Sequence, residues 1–164
     1  MWTSRRHRTV AAVAAWLMVL AVDLFVNAGL LVNVYDGEDS ALLSNVEAAK
    51  RIPVAYAVWA VQMAALQWLL TRLDVRRLAS AAAYGATASL LSGGLSLVAL
   101  WTIVRLDPLL TVAWIVAAVV EGAVAGATLA HLSQAGARGL RSIAPLVLVV
   151  VIAAFVLQNV LKAG

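Results

Sequence analysis

Two carboxylic acids, Asp23 and Glu121, stand inside long apolar runs of the sequence. On insertion scales an acid at the centre of a membrane helix costs about 2.5–3.5 kcal/mol, while a Leu or Ile returns only a few tenths. Residues that costly are read first as proton relays, ion pathways or substrate counter-ions. No Lys or Arg lies at matching depth in the runs, and a carboxyl in hydrocarbon without a cation is cheaper neutral than ionised. The neutral group donates one hydrogen bond and accepts others. Asn27 follows Asp23 by one helical turn on the same face, and Gln62 falls near the middle of another apolar run. Trp114 and Thr128 flank Glu121 at helical spacing. These positions predict a buried polar network of Asp23, Asn27, Gln62 and Glu121, the candidates for binding a proton or a substrate. The plainer reading is interhelical hydrogen bonding, each contact contributing about 0.6 kcal/mol; Asp23, nearer a span end, fits it better than Glu121.

Other chemistries lack their residues. The chain has no cysteine, which removes thiolate catalysis, disulfides and Cys-ligated metals. Of its two histidines, His7 is in a basic tail and His131 is at the end of a run, so neither suits a haem between helices. His131 reads instead as a residue capping its helix end. There is no phosphate-binding loop, dinucleotide fingerprint or hydroxyl nucleophile beside a base. Neither enzymatic activity, a metal nor a cofactor is expected.

The elements that must position the acids follow from composition. The 164 residues are 64% hydrophobic and 12% charged, with a mean hydropathy of +0.96. That is too little charge for a soluble surface and too much apolar area for a single soluble core. Apolar runs at 10–34, 52–70, 78–104, 108–132 and 143–161 are each about the 20 residues that cross a bilayer. They must be helices, because a backbone in hydrocarbon has to satisfy its own polar groups. Runs such as Ala11-Ala12-Val13-Ala14-Ala15 lack the alternation of a membrane strand. The expectation is an all-α, polytopic transmembrane bundle of five spans in one integral membrane domain, 1–164.

Arg5, Arg6, Arg8, Arg72, Arg76, Arg77, Arg138 and Arg141 fall on one side of these spans, against Lys50, Arg51, Arg105 and Lys162 on the other. The positive-inside rule then puts the N-terminus in the cytoplasm and the C-terminus outside. The net charge of +4 thereby reads as a topology signal and not as a nucleic-acid patch. Arginine outnumbers lysine ten to two and Ala and Val are abundant, which suggests a bacterial inner (plasma) membrane protein from a high-GC genome. The basic start and the run after it resemble a signal peptide, with Val26-Asn27-Ala28 as a cleavage site. The run continues to Val34, however, and reads as an uncleaved anchor. Ser44-Asn45-Val46-Glu47 has the form of a capping box, which fits either a short interfacial helix leading into the second span, with Pro53 at the junction or a kink, or an ordinary solvated loop. Asp107-Pro108 suits the N-cap and first position of a helix, making spans three and four a tight hairpin.

That hairpin carries small residues every fourth position: Ala81, Gly85, Ser89 and Gly93, then Ala118, Gly122, Gly126 and Ala130. Such ridges let backbones approach closely, either within one chain or between two copies. Adjacent ridges favour packing within the chain. Trp2, Trp68 and Trp101 sit where an interfacial aromatic belt would lie. Trp16, Trp59 and Trp114 are deeper and read as core, with the lining of a cavity as the alternative. The bilayer is the expected partner, with a membrane-protein partner or a second copy as the others. The function expected first is that of a structural or accessory membrane protein. The alternative is a small proton-coupled transporter built on Glu121 with Asp23.

Overall fold

The computed structural model describes residues 5–33 and 45–163. Those residues are mostly helical, with short turns between the rods and no strand, and include five helices long and apolar enough to cross a membrane. We number these rods α1 to α5. α1 is Arg5–Leu24, continued by a π-helical turn Phe25–Leu30, and α2 is Asn45–Arg72. α3 runs as Leu78–Ser89, a second π-helical turn Leu90–Gly94, and Leu95–Trp101. α4 is Pro108–Ala135 and α5 is Ala137–Ala163.

α4 is the centre of the bundle and touches each of the other four rods. Its tightest neighbour is α3. A Cβ added to Gly85 would run into the carbonyl of Gly122, one added to Gly126 into that of Ala81, and one on Gly122 into Ser89. The two backbones thus lie in direct contact, which only glycine allows. Gly93 departs from its expected packing role: its added Cβ would meet nothing nearer than the Ala118 Cβ at 3.9 Å. The π-helical turn explains this. Its wider ring shifts the residues after Ser89 off the seam, and Ser92 and Ser96 bond back to the carbonyls of Ala88 at 2.8 Å and Ser92 at 2.6 Å. On the opposite flank, α1 packs on α5 through Gly29, whose Cβ would meet Leu157 at 3.3 Å. That close approach was not apparent from the sequence.

The hairpin turn forms as its residues suggest. Asp107 accepts the Leu110 N–H at 2.8 Å, with Pro108 in the first turn of α4. α3, however, stops at Trp101 and not at Val104, because the chain from Thr102 turns to reach Asp107. α2 is one helix from Asn45, with Pro53 inside it, so Pro53 does not divide an interfacial helix from the span. Near a rod end, water can take the carbonyl that Pro53 leaves unbonded. Ser44, the acidic stretch before it and Trp2 lie outside the described residues.

The link from α4 to α5 is much shorter than the apolar pattern suggests. Arg138 and Arg141 belong to the first turns of α5, and Gly136 alone makes the turn, at φ +55° and ψ −132°. No atom lies within 4 Å of a Cβ at that position. Gly136→Ala therefore isolates backbone strain, and thermal unfolding in detergent should show a loss of about 1–3 kcal/mol.

Arginines from the start of α1, the α2–α3 turn and the start of α5 gather at one end of the rods. Polar side chains tie that end together. Gln67 donates to the Arg8 carbonyl at 2.8 Å and Gln134 to the Arg76 carbonyl at 2.5 Å. His131 meets Ser142 at 3.0 Å, and Ser142 donates its own proton to the Gly139 carbonyl, so His131 Nε2 is the donor of that pair. His131 thus links α4 to α5. Gln67, buried among apolar neighbours, was missed as a tie because a lone amide on an apolar helix gives no hint of its partner.

Outside the hairpin seam the rods show apolar side chains to their surroundings. Val54, Val61, Val98, Val120, Leu148 and Phe155 are exposed along their lengths. Among the described residues, charges fall at the rod ends, with Asp23 and Glu121 as the exceptions. A surface of this kind suits hydrocarbon and not water.

Candidate functional site

In the half of the bundle nearer the Asp107 turn, four rods part around a cavity of about 420 Å³. Each contributes residues at helical spacing. α4 presents Trp114, Ala117, Ala118 and Glu121, and α3 presents Gly93, Ser96, Leu97 and Leu100. α1 adds Asp23 and Asn27, and α2 adds Trp59. The volume is within the range of small-molecule sites. The lining is mostly apolar, with polar groups at few points.

Both acids of the apolar rods open into this one space, from rods distant in the sequence. Asn27 Nδ2 donates to Asp23 Oδ1 at 2.5 Å, which fixes the orientation of that carboxyl. Asn27 lies in the π-helical turn of α1, and Gly93 in that of α3. Such turns recur at functional sites, where they re-aim side chains at the cost of helix regularity. Glu121 is only 7% exposed. Among the described residues no hydrogen bond reaches its carboxyl, yet its buried polar atoms are not sealed from the cavity.

Glu121 also borders a second, smaller recess of about 80 Å³, with Gln62, Met63, Ser89 and Ser92 on its other walls. Glu121, Trp59, Gly93 and Ala118 face both spaces. The four-residue network expected from the sequence is therefore divided. Asp23, Asn27 and Glu121 share the large cavity, while Gln62 is exposed on α2 and borders only the recess. Helical spacing cannot reveal how α2 is rotated about its axis, and that rotation places Gln62.

No family model matches this chain, and no curated protein or solved structure is similar to it. Function must therefore be argued from the cavity itself.

Trp59 and Trp114 line the cavity, whereas Trp16 packs against the apolar core and donates to the Tyr56 carbonyl at 3.0 Å. Thr128, expected on the Glu121 face, is buried lower on α4, away from the cavity. Ser96 escaped the sequence reading because serines are frequent in membrane helices as packing residues. The described residues hold no group of three metal-ligating side chains. Nor does any Lys, Arg or His line the cavity. What the arrangement offers is two carboxyls placed beside two indole rings in a mostly apolar chamber.

Proposed function

We propose that this protein is a small integral membrane carrier in which the Glu121 carboxyl, assisted by Asp23, binds a proton and a solute in alternation. One observation carries the reading: the two acids of the spans converge on a single chamber of about 420 Å³ whose described lining includes no Lys, Arg or His. Hydrogen-bonding glue would have sealed each carboxyl against a neighbouring helix. Here the costly groups are spent on an open space, as function requires and stability does not. The position of Glu121 on the partition between cavity and recess suits a group reached alternately from two directions. An accessory role, expected first from the sequence, offers no reason for that placement.

The setting is a plasma membrane, with the arginine-bearing end in the cytoplasm by the positive-inside rule. The cavity then opens in the outer half. A reporter fused after Gly164 should be active only on the outer side; a cytoplasmic signal rejects the orientation. For the carrier itself, proteoliposomes enclosing a pH-sensitive dye can be challenged with cationic, neutral and anionic metabolites at several pH values. Wild type should give a solute-driven change of lumenal pH with at least one class, absent in Glu121→Gln. Silence with every class, or an equal response from the variant, contradicts the proposal.

A further inference from the structure

We infer that the cavity between α1, α2, α3 and α4 binds an organic monocation with an apolar body, held by the Glu121 carboxylate and the faces of Trp59 and Trp114. The inference deepens the carrier reading and rests on it for transport, though the binding site stands on its own lining.

Three features of the chamber select the ligand. Among the described residues its charged or chargeable lining groups are Asp23 and Glu121, so the complementary ligand is a cation. α2 brings the Tyr56 phenol within electrostatic reach of Asp23. α3 supplies only Gly93, Ser96, Leu97 and Leu100, and α5 contributes nothing to the lining. A bare metal ion is a poor match, because two carboxyls and one amide are far from the roughly six to eight oxygens that calcium takes. Apart from the Ser96 hydroxyl, which donates to the Ser92 carbonyl, the remaining described wall is alkyl and indole, which solvates methyl or aryl groups and attracts a weakly hydrated cation through the ring quadrupole. A strongly hydrated polyamine would have to leave its water for Leu97, Leu100 and Ala117 without replacement bonds.

Binding then exchanges one positive charge for another. As the cation enters, the Glu121 O–H bond breaks, the proton passes to water in the cavity mouth, and the carboxylate pairs with the ligand. The charge of the chamber is unchanged, so the exchange avoids stranding a net charge in the low-dielectric interior. Asp23, held by Asn27, stays as the nearby acid that favours cation entry.

The probe is benzyltrimethylammonium, with neopentylbenzene as its uncharged isostere, against protein in phosphatidylcholine nanodiscs. Saturable binding of the cation is expected, weakening as pH falls and accompanied by proton release into a weakly buffered medium. Glu121→Gln should abolish it, Glu121→Asp should retain part of it, and Trp114→Leu should weaken it about tenfold or more. Neopentylbenzene should not compete. Absence of saturable binding, equal binding of the neutral isostere, or binding by wild type that is indifferent to pH would each overturn the inference; the wild-type pH series does so even if a variant misfolds. Lumenal pH changes evoked only by neutral or anionic solutes would remove the cation while leaving the carrier. Cation binding without any solute-driven pH change would do the reverse.

Discussion

Gly85→Ala and Gly126→Ala should each destabilise the bundle by about 3 kcal/mol or more, at the upper end of overpacking penalties. The size of the effect follows from what the new methyl group meets. At both positions it strikes a backbone carbonyl of the facing helix, Gly122 or Ala81, and not a side chain that can rotate away. The helices must separate, and separation loses dispersion contacts along the whole seam from Ala81 to Ser89. Gly93→Ala is the internal control. Its methyl meets Ala118 at an ordinary 3.9 Å and otherwise points toward open space, so its cost should stay within about 0.5 kcal/mol. Unfolding in mixed micelles, followed by circular dichroism, reads all three. Equal effects at the three glycines would mean that the seam continues past Ser89.

Glu121→Leu should be at least as stable as wild type while losing transport entirely. An acid that no described residue bonds contributes little to stability, and its replacement by Leu removes about 2.5–3.5 kcal/mol of unfavourable transfer and fills part of a cavity. Glu121→Gln keeps the shape and removes the exchangeable proton, so activity should fall to background with the fold intact. The two substitutions separate function from glue. If Glu121→Leu loses several kcal/mol in the same micelle assay, the carboxyl is a structural link and the carrier reading loses its basis. Asn27→Ala should be milder. It frees Asp23 from its 2.5 Å bond, which weakens solute affinity but leaves Glu121 and its proton in place.

The sequence made the rods legible because hydrocarbon imposes a length and a periodicity that few other constraints override. The hairpin seam was legible too, since small residues every fourth position on neighbouring helices have few other uses. Glu121 and Asp23 stood out through cost alone. The cavity did not. It depends on the two π-helical turns, which no residue pattern announces, and on the rotation of α2 that brings Trp59 inward and leaves Gln62 outward. Gly93 misled for the same reason: it continues the sequence ridge while the helix carrying it has already changed register. Span ends also shifted, because one glycine at 136 does the work of a loop.

The absence of native cysteine allows one direct test of bilayer and chamber together. Ala118→Cys lines the cavity, whereas Val120→Cys, two residues along α4, replaces a side chain that is 44% exposed on the outer face of the bundle. In lipid, the impermeant reagent trimethylammonium-ethyl methanethiosulfonate should label position 118 readily and position 120 hardly at all, because a thiol surrounded by acyl chains cannot form the reactive thiolate. Faster labelling at 120 than at 118, the order that bare exposure dictates in water, would contradict both the membrane setting and the hydrated acidic chamber.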